Sequence, residues 1–440
     1  MDKLQVWRDL YWLIHSADLL SDNAGLALAT WPAPALQNAD RWLAQERLSP
    51  EHLVPGFTDG YRRLGLYAEA LLGMALQHNT AIELLASHTP LHIAAAPAND
   101  AGHPDTPPAR RTIGELDYVW RDRLTRQVWH WELAVKLYLF VPTLPVAAGA
   151  ARFVGLQQRD TLARKTAKLR DHQLPLSSLP QVTHMLGVSV DQAAAVVKGW
   201  LFYPLQGPGW NDYAPVDSAT SALLNPKHLR GWWLSYREFT ERLAAEAHAC
   251  REDDRSRTAD GVWQRRWRVL SRMQWLSPHV ANARDTLDTP ALLEILRSWF
   301  DVDVFAEAGT PSGSARPRPG LLIVAMEPIA ARSASAGRSF TDAASSASVG
   351  PAELWTSLDS QDSLEPIEPP ESLKPLELAK TSEPTTLQRL AASAGPRNLA
   401  MPSLQYAEVH RGFVVADGWA DILQADTDTR GAGGRKTTIA

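Results

Sequence analysis

At 440 residues the chain exceeds one typical domain and has room for a full core, and its net charge of −5 is concentrated, since residues 351–383 alone carry eight acidic side chains against two basic ones. The near-neutral remainder excludes a global electrostatic attraction to nucleic acid, so such binding needs a local basic groove. A single cysteine, Cys250, excludes disulfides and cysteine-based zinc clusters, and the absence of a leader or span-length apolar run makes a cytoplasmic protein with no membrane partner the expectation.

Residues 1–58 read as a helical segment in which Val6, Leu10, Trp12 and Leu13 recur near helical spacing, followed by an amphipathic stretch over 40–48. Asp59 is placed to cap a helix over 61–77 whose apolar face is Leu64, Ala68, Leu71, Leu72 and Ala75, with Glu69 at its edge. Strands are expected over 82–93, 112–120 and 128–140, the last two joined by a turn at 121–127. A helix over 156–174 carries Lys165, Lys168 and Arg170, which would face water or contact phosphates.

Ser189 and Gln192 form a capping-box pattern ahead of Ala194, Val197 and Leu201, which predicts a helix there. Asn225-Pro226 opens another towards Leu243, and a third spans 262–275, where interleaved Arg and Trp suit core and cation–π contacts. Most of the 17 tryptophans are explained by buried packing. Strands return at 321–326 and 409–415 and are expected to pair. Between them 331–405, rich in Ser, Ala, Pro and Glu, reads as a disordered insert, 406–425 as a returning strand with a C-terminal element, and 426–440 as a disordered tail.

The chemistry lies in two strand segments, Gly114-Glu115-Leu116-Asp117-Tyr118 and His130-Trp131-Glu132-Leu133-Ala134-Val135-Lys136. Alternation puts Glu115 and Asp117 on one face, and His130, Glu132, Ala134 and Lys136 on one face of the neighbouring strand. Carboxylates beside a core are costly unless they meet a cation, and a lysine close by can orient a water; a salt bridge between paired strands is the plainer alternative.

Several phrases together resemble a bacterial family known as domain of unknown function 1853: Arg63 to Glu69, Gly114 to Asp117, His130 to Leu139, Leu201 to Pro204, Leu224 to Trp233 and Arg411 to Val415. Its core is similar to the PD-(D/E)XK phosphodiesterase superfamily, which implies an α/β, restriction-endonuclease-like fold (helix, central mixed sheet, helix) over 59–180; the capping and spacing patterns beyond it make a mainly helical C-terminal half the expectation, with 181–330 closed by a strand. The resemblance implies an acid on the first helix, matched by Glu69, an Asp opening the motif, matched by Asp117, and a lysine, matched by Lys136. The acid expected two residues before that lysine is replaced by Ala134, while Glu132 lies one pleat further along the same face and Glu115 offers another carboxylate.

Three functions fit these residues. In the first, Asp117 and Glu132, aided by Glu69 or Glu115, hold Mg²⁺ or Mn²⁺, Lys136 acts on water, and Lys165, Lys168 and Arg170 contact a nucleic acid backbone. In the second, a catalytically inactive module binds nucleic acid or protein through the same groove. In the third, the substrate is a small phosphorylated metabolite, which needs no extended basic groove.

Overall fold

Residues 110–140 alternate aromatic and branched apolar side chains with charged ones, a period that suits strands. In a computed structural model, which describes residues 3–48, 61–94, 110–252, 265–301, 319–329, 405–421 and 423, they form two long strands of a mixed α/β fold. The chain begins with helices α1 (Lys3–His15), α2 (Ala33–Leu48) and α3 (Leu64–Gln77), followed by strands β1 (Ile82–Ala94), β2 (Arg110–Asp122), β3 (Val128–Phe140) and β4 (Phe153–Gly155). Helices α4 (Leu162–Lys168) and α5 (Pro180–Leu186) precede strand β5 (Gln192–Pro204), helix α6 (Ser218–Ala222), strand β6 (Arg230–Ser235) and helix α7 (Tyr236–Glu252). Strands β7 (Arg266–Leu270) and β8 (Val280–Asn282), helix α8 (Thr289–Phe300), and strands β9 (Leu321–Pro328) and β10 (Gln405–Val415) complete the order. Among the described residues no helix is long and apolar enough to cross a membrane.

The chain divides into two compact units, the first built from Met1–Lys136, Leu162–Gly199 and Ser221–Pro226, the second from Leu137–Thr161, Trp200–Thr220 and Lys227–Ala440. In the first, the strand order is β1-β2-β3-β5. Strands β2 and β3 are joined by a turn in which the Asp122 carboxylate accepts from the Leu124 and Thr125 N–H groups at 2.8 and 2.9 Å, an Asx turn that fixes the hairpin. Helix α3 buries Leu64, Tyr67, Ala68, Leu71, Leu72 and Ala75. It lies so close to β2 that a Cβ on Gly73 would meet the Tyr118 ring at 3.3 Å, and the Tyr118 hydroxyl donates to the Glu69 carbonyl. Tyr67 donates to the buried Asp9 at 2.9 Å and Trp7 to the Leu43 carbonyl at 2.8 Å, which ties α1 to α3 and α2.

In the second unit the order is β5-β6-β10-β9-β7, with β5, β6 and β10 mutually parallel and β9 antiparallel to both β10 and β7. Its core packs Trp210, Trp232, Phe239 and Trp267 with Leu292, Leu296, Ile323 and Val414. Strands β9 and β10 pair as the sequence leads one to expect, from Tyr406↔Pro328 to Val414↔Leu321.

The expected mainly helical C-terminal half is corrected, since strands β5 to β10 all lie there. The helix expected from Ser189 is strand β5, whose residues 194–203 are buried without alternation, so its apolar run has no period to separate it from a buried helix. Gly199, at φ 146°, sits where a Cβ would come within 1.7 Å of the Lys136 carbonyl oxygen, so only glycine allows β5 this close to β3. The helix expected from Asn225 to Leu243 is strand β6 followed by α7, and the one over 262–275 is strand β7 and a short 3₁₀ turn at Arg272–Gln274. Helix α3 begins at Leu64 with Arg63 at its cap, and Asp59 lies outside the described residues. So do 331–404 of the expected insert and the whole of the expected tail.

Candidate functional site

The site is assembled within the first unit from α3, the β2–β3 hairpin and the turn that follows α4. The β2–β3 ladder runs through Arg121↔Val128, Trp120↔Trp129, Val119↔His130 and Tyr118↔Trp131. At the next position the Asp117 side chain reaches across the hairpin, accepting from the Leu133 N–H at 2.8 Å, while the Asp117 N–H points to Glu132 Oε1 at 3.5 Å. The two carboxylates are thereby interlocked through backbone amides and held close together.

Glu132 is fully buried. His130 Nε2 lies 2.9 Å from its Oε1, and the Gln173 side-chain amide donates to its Oε2. Gln173 in turn accepts from Lys165 Nζ at 2.8 Å, so lysine, amide and carboxylate form a chain of hydrogen bonds. On the other side, His88 Nδ1 stands 3.5 Å from Glu115 and 3.9 Å from Glu69.

The charges act on one another. Burial, then repulsion from Glu132 and Glu69, pushes the Asp117 carboxyl up to about 8, against the opposing Leu133 N–H and Lys165. Burial also raises Glu69, with Glu115 and Glu132 adding to the rise and His88 and Lys165 resisting it. Lys165 is held below the ordinary lysine range by burial and by the positive charges of Lys136 and Lys168, while Glu132 and Asp117 pull the other way. Glu69, Glu115, Asp117, Glu132, Lys136 and Lys165 thus belong to one electrostatic neighbourhood.

Two expected nucleic acid contacts stand differently from Lys165. The helical segment expected over 156–174 begins at Leu162, and after Lys168 it widens into a π-helical turn over Leu169–Gln173. Lys168 is exposed on α4. Arg170 is exposed too, and its guanidinium is taken up by the adjacent Asp171 in two bonds of 2.7 and 2.9 Å. Ala134, where the resemblance calls for an acid, is buried.

Three participants lie beyond the motif reading. Alternation puts His130 on the same strand face as Glu132, while its bond to Glu132 depends on side-chain geometry. His88 has a positive φ of 48° within β1, a backbone state that no sequence period announces. Gln173 is brought in by the π turn, which changes the direction that helical spacing gives it.

The carboxylates around Asp117 offer oxygen donors of the kind a hard divalent cation takes, with the His88 and His130 imidazoles beside them. Among the described residues no three His, Asp, Glu or Cys side chains are grouped so as to hold a metal ion, and Glu132 is engaged by His130 and Gln173. The chain belongs to the family described as domain of unknown function (DUF1853), which matches residues 8–340. No curated protein and no solved structure matches it.

Proposed function

We propose that this chain is a metal-dependent phosphodiesterase, nuclease-like in its site, acting on DNA or RNA. The observation that supports the reading is the gathering of Glu69, Asp117 and Glu132 into one repelling group beside Lys136 and Lys165, a cost to folding that a cation would offset. Asp117 and Glu132 would hold Mg²⁺ or Mn²⁺, with Glu69 or Glu115 assisting. Such an ion, when bound, polarises a phosphoryl oxygen and acidifies water. The chain's own work is positioning: Lys136 orients the attacking water or steadies developing negative charge, Lys165 faces the phosphate, and Lys168 meets the flanking backbone.

Millimolar Mg²⁺ or Mn²⁺ should raise the melting temperature of the parent protein by mass action and leave Asp117→Asn unmoved. Lys136→Ala should keep the ion-dependent shift and lose cleavage of a labelled oligonucleotide. A parent protein whose melting is indifferent to both ions removes the catalytic reading.

One observation favours a second reading, an inactive module that binds nucleic acid or protein. Both oxygens of Glu132 already have protein partners, and Ala134 fills the place of an expected acid. On that reading no ion shifts the melting curve, and Asp117→Asn destabilises the protein by weakening the link to the Leu133 N–H.

A further inference from the structure

Resting on the phosphodiesterase reading of the site, we infer that Gln173 is a positioning residue that holds Glu132 away from metal coordination until a substrate phosphate draws Lys165 aside. The orientation of Gln173 is dictated by chemistry. Lys165 Nζ, 2.8 Å from its side-chain oxygen, can only donate, so the amide nitrogen must face Glu132, where it donates to Oε2. The other oxygen, Oε1, is met by His130 Nε2 at 2.9 Å and by the Asp117 N–H at 3.5 Å. Glu132 is therefore buried with each oxygen engaged, and an ion approaching Oε2 competes with the Gln173 amide, whose N–H presents positive charge to that atom.

Gln173 is the partner suited to yield. His130 and Asp117 sit in the hairpin itself, whereas Gln173 closes the π-helical turn Leu169–Gln173, is only partly buried and is tethered at its far side to a lysine. A phosphate oxygen competing for Lys165 would remove that tether and free the amide. Metal and phosphate would then bind with positive coupling, each strengthening the other by the same factor.

Gln173→Leu keeps the side-chain volume and removes both hydrogen bonds. For the full-length chain without nucleic acid, titration calorimetry should show Mn²⁺ binding at least about five-fold tighter in this variant than in the parent, since the ion no longer competes with the amide. Gln173→Asn, too short to span both partners, carries the same expectation if the leucine variant does not fold. A parent that binds Mn²⁺ alongside variants that bind it equally or more weakly overturns the restraint and leaves the metal site standing. Absence of Mn²⁺ binding in parent and variants alike overturns the proposed function, and the restraint falls with it.

Discussion

Two clusters of charge in this molecule are built on opposite principles. In the second unit Arg411 and Glu408 are both fully buried and every donor has an acceptor. The guanidinium gives two bonds to Glu408, at 2.5 and 2.9 Å, and further bonds to the carbonyls of Trp275, Leu276 and Ser277, while its Cζ lies 4.0 Å from the Trp200 ring centroid. Glu408 also takes the His279 N–H at 2.9 Å. In the first unit Glu69, Asp117 and Glu132 are drawn together so that they repel, and Asp117 is driven to about 8. Compensation of the first kind holds a loop to a strand; the second kind is a burden on folding, and a cluster that carries such a burden calls for an explanation in binding or chemistry.

The largest effect expected from this contrast is at Arg411. Arg411→Met leaves Glu408 buried without its cation and takes a donor from the carbonyls of Trp275 and Ser277, while Leu276 keeps the Trp200 indole N–H, so urea denaturation should show a loss of roughly 3–5 kcal/mol. A loss below about 1 kcal/mol would break the contrast, because the pair would then be no better compensated than the carboxylates.

Asp117→Asn should act in the opposite sense. The folded-state carboxyl is raised from 3.8 to about 8, so between those values the folded protein binds more protons than the unfolded chain, and stability falls as pH rises through that window. Melting temperatures of the metal-free parent should therefore decline from pH 5 to pH 8. The asparagine variant, with no proton to lose there, should decline less and gain on the parent by at least about 1.4 kcal/mol, the equivalent of one unit. Parallel curves for the two proteins would mean that Asp117 is not strained.

The elements of the site divide by what a sequence can carry. Glu69, Asp117, Glu132 and Lys136 are legible because a helix edge and two alternating strands are periodic, and period fixes which side chains share a face. Lys165, which helical spacing places either towards water or on a phosphate-contacting wall, is half-buried and tied to Gln173, a partner that spacing does not announce because the chain leaves α-helical geometry within residues 169–173. The fold shows the same boundary. Ser189 with Gln192 and Ser235 with Glu238 are the same capping pattern, yet only the second caps a helix: the Ser235 N–H donates to Glu238 at 2.8 Å and the Glu238 N–H to the Ser235 hydroxyl at 3.3 Å. Behind Ser235 the chain alternates polar and apolar residues on a helical period, whereas behind Ser189 it is apolar on every side and disappears into the middle of a sheet. The local signal is identical, and the burial that decides between the two is set by distant residues.

The smallest effect concerns His88 and tests whether the first unit's site carries backbone strain as well as charge. At φ 48° within a strand, His88 occupies a region that side chains with a Cβ adopt at a cost of about 1–2 kcal/mol, and its ring stands between Glu69 and Glu115. Substitution by glycine relieves the backbone but also removes the imidazole and loosens the unfolded chain, so the single variant is ambiguous. Comparison of His88→Gly with His88→Ala cancels the loss of the ring. If the strain is present, the glycine variant should be the more stable of the two by roughly 0.5–1 kcal/mol even though alanine is ordinarily the better strand residue by a similar margin. Chemical denaturation resolves that difference, and an alanine variant more stable than the glycine one by roughly 0.5–1 kcal/mol would show that β1 can relax at this position and that the cost of the site lies in its carboxylates alone.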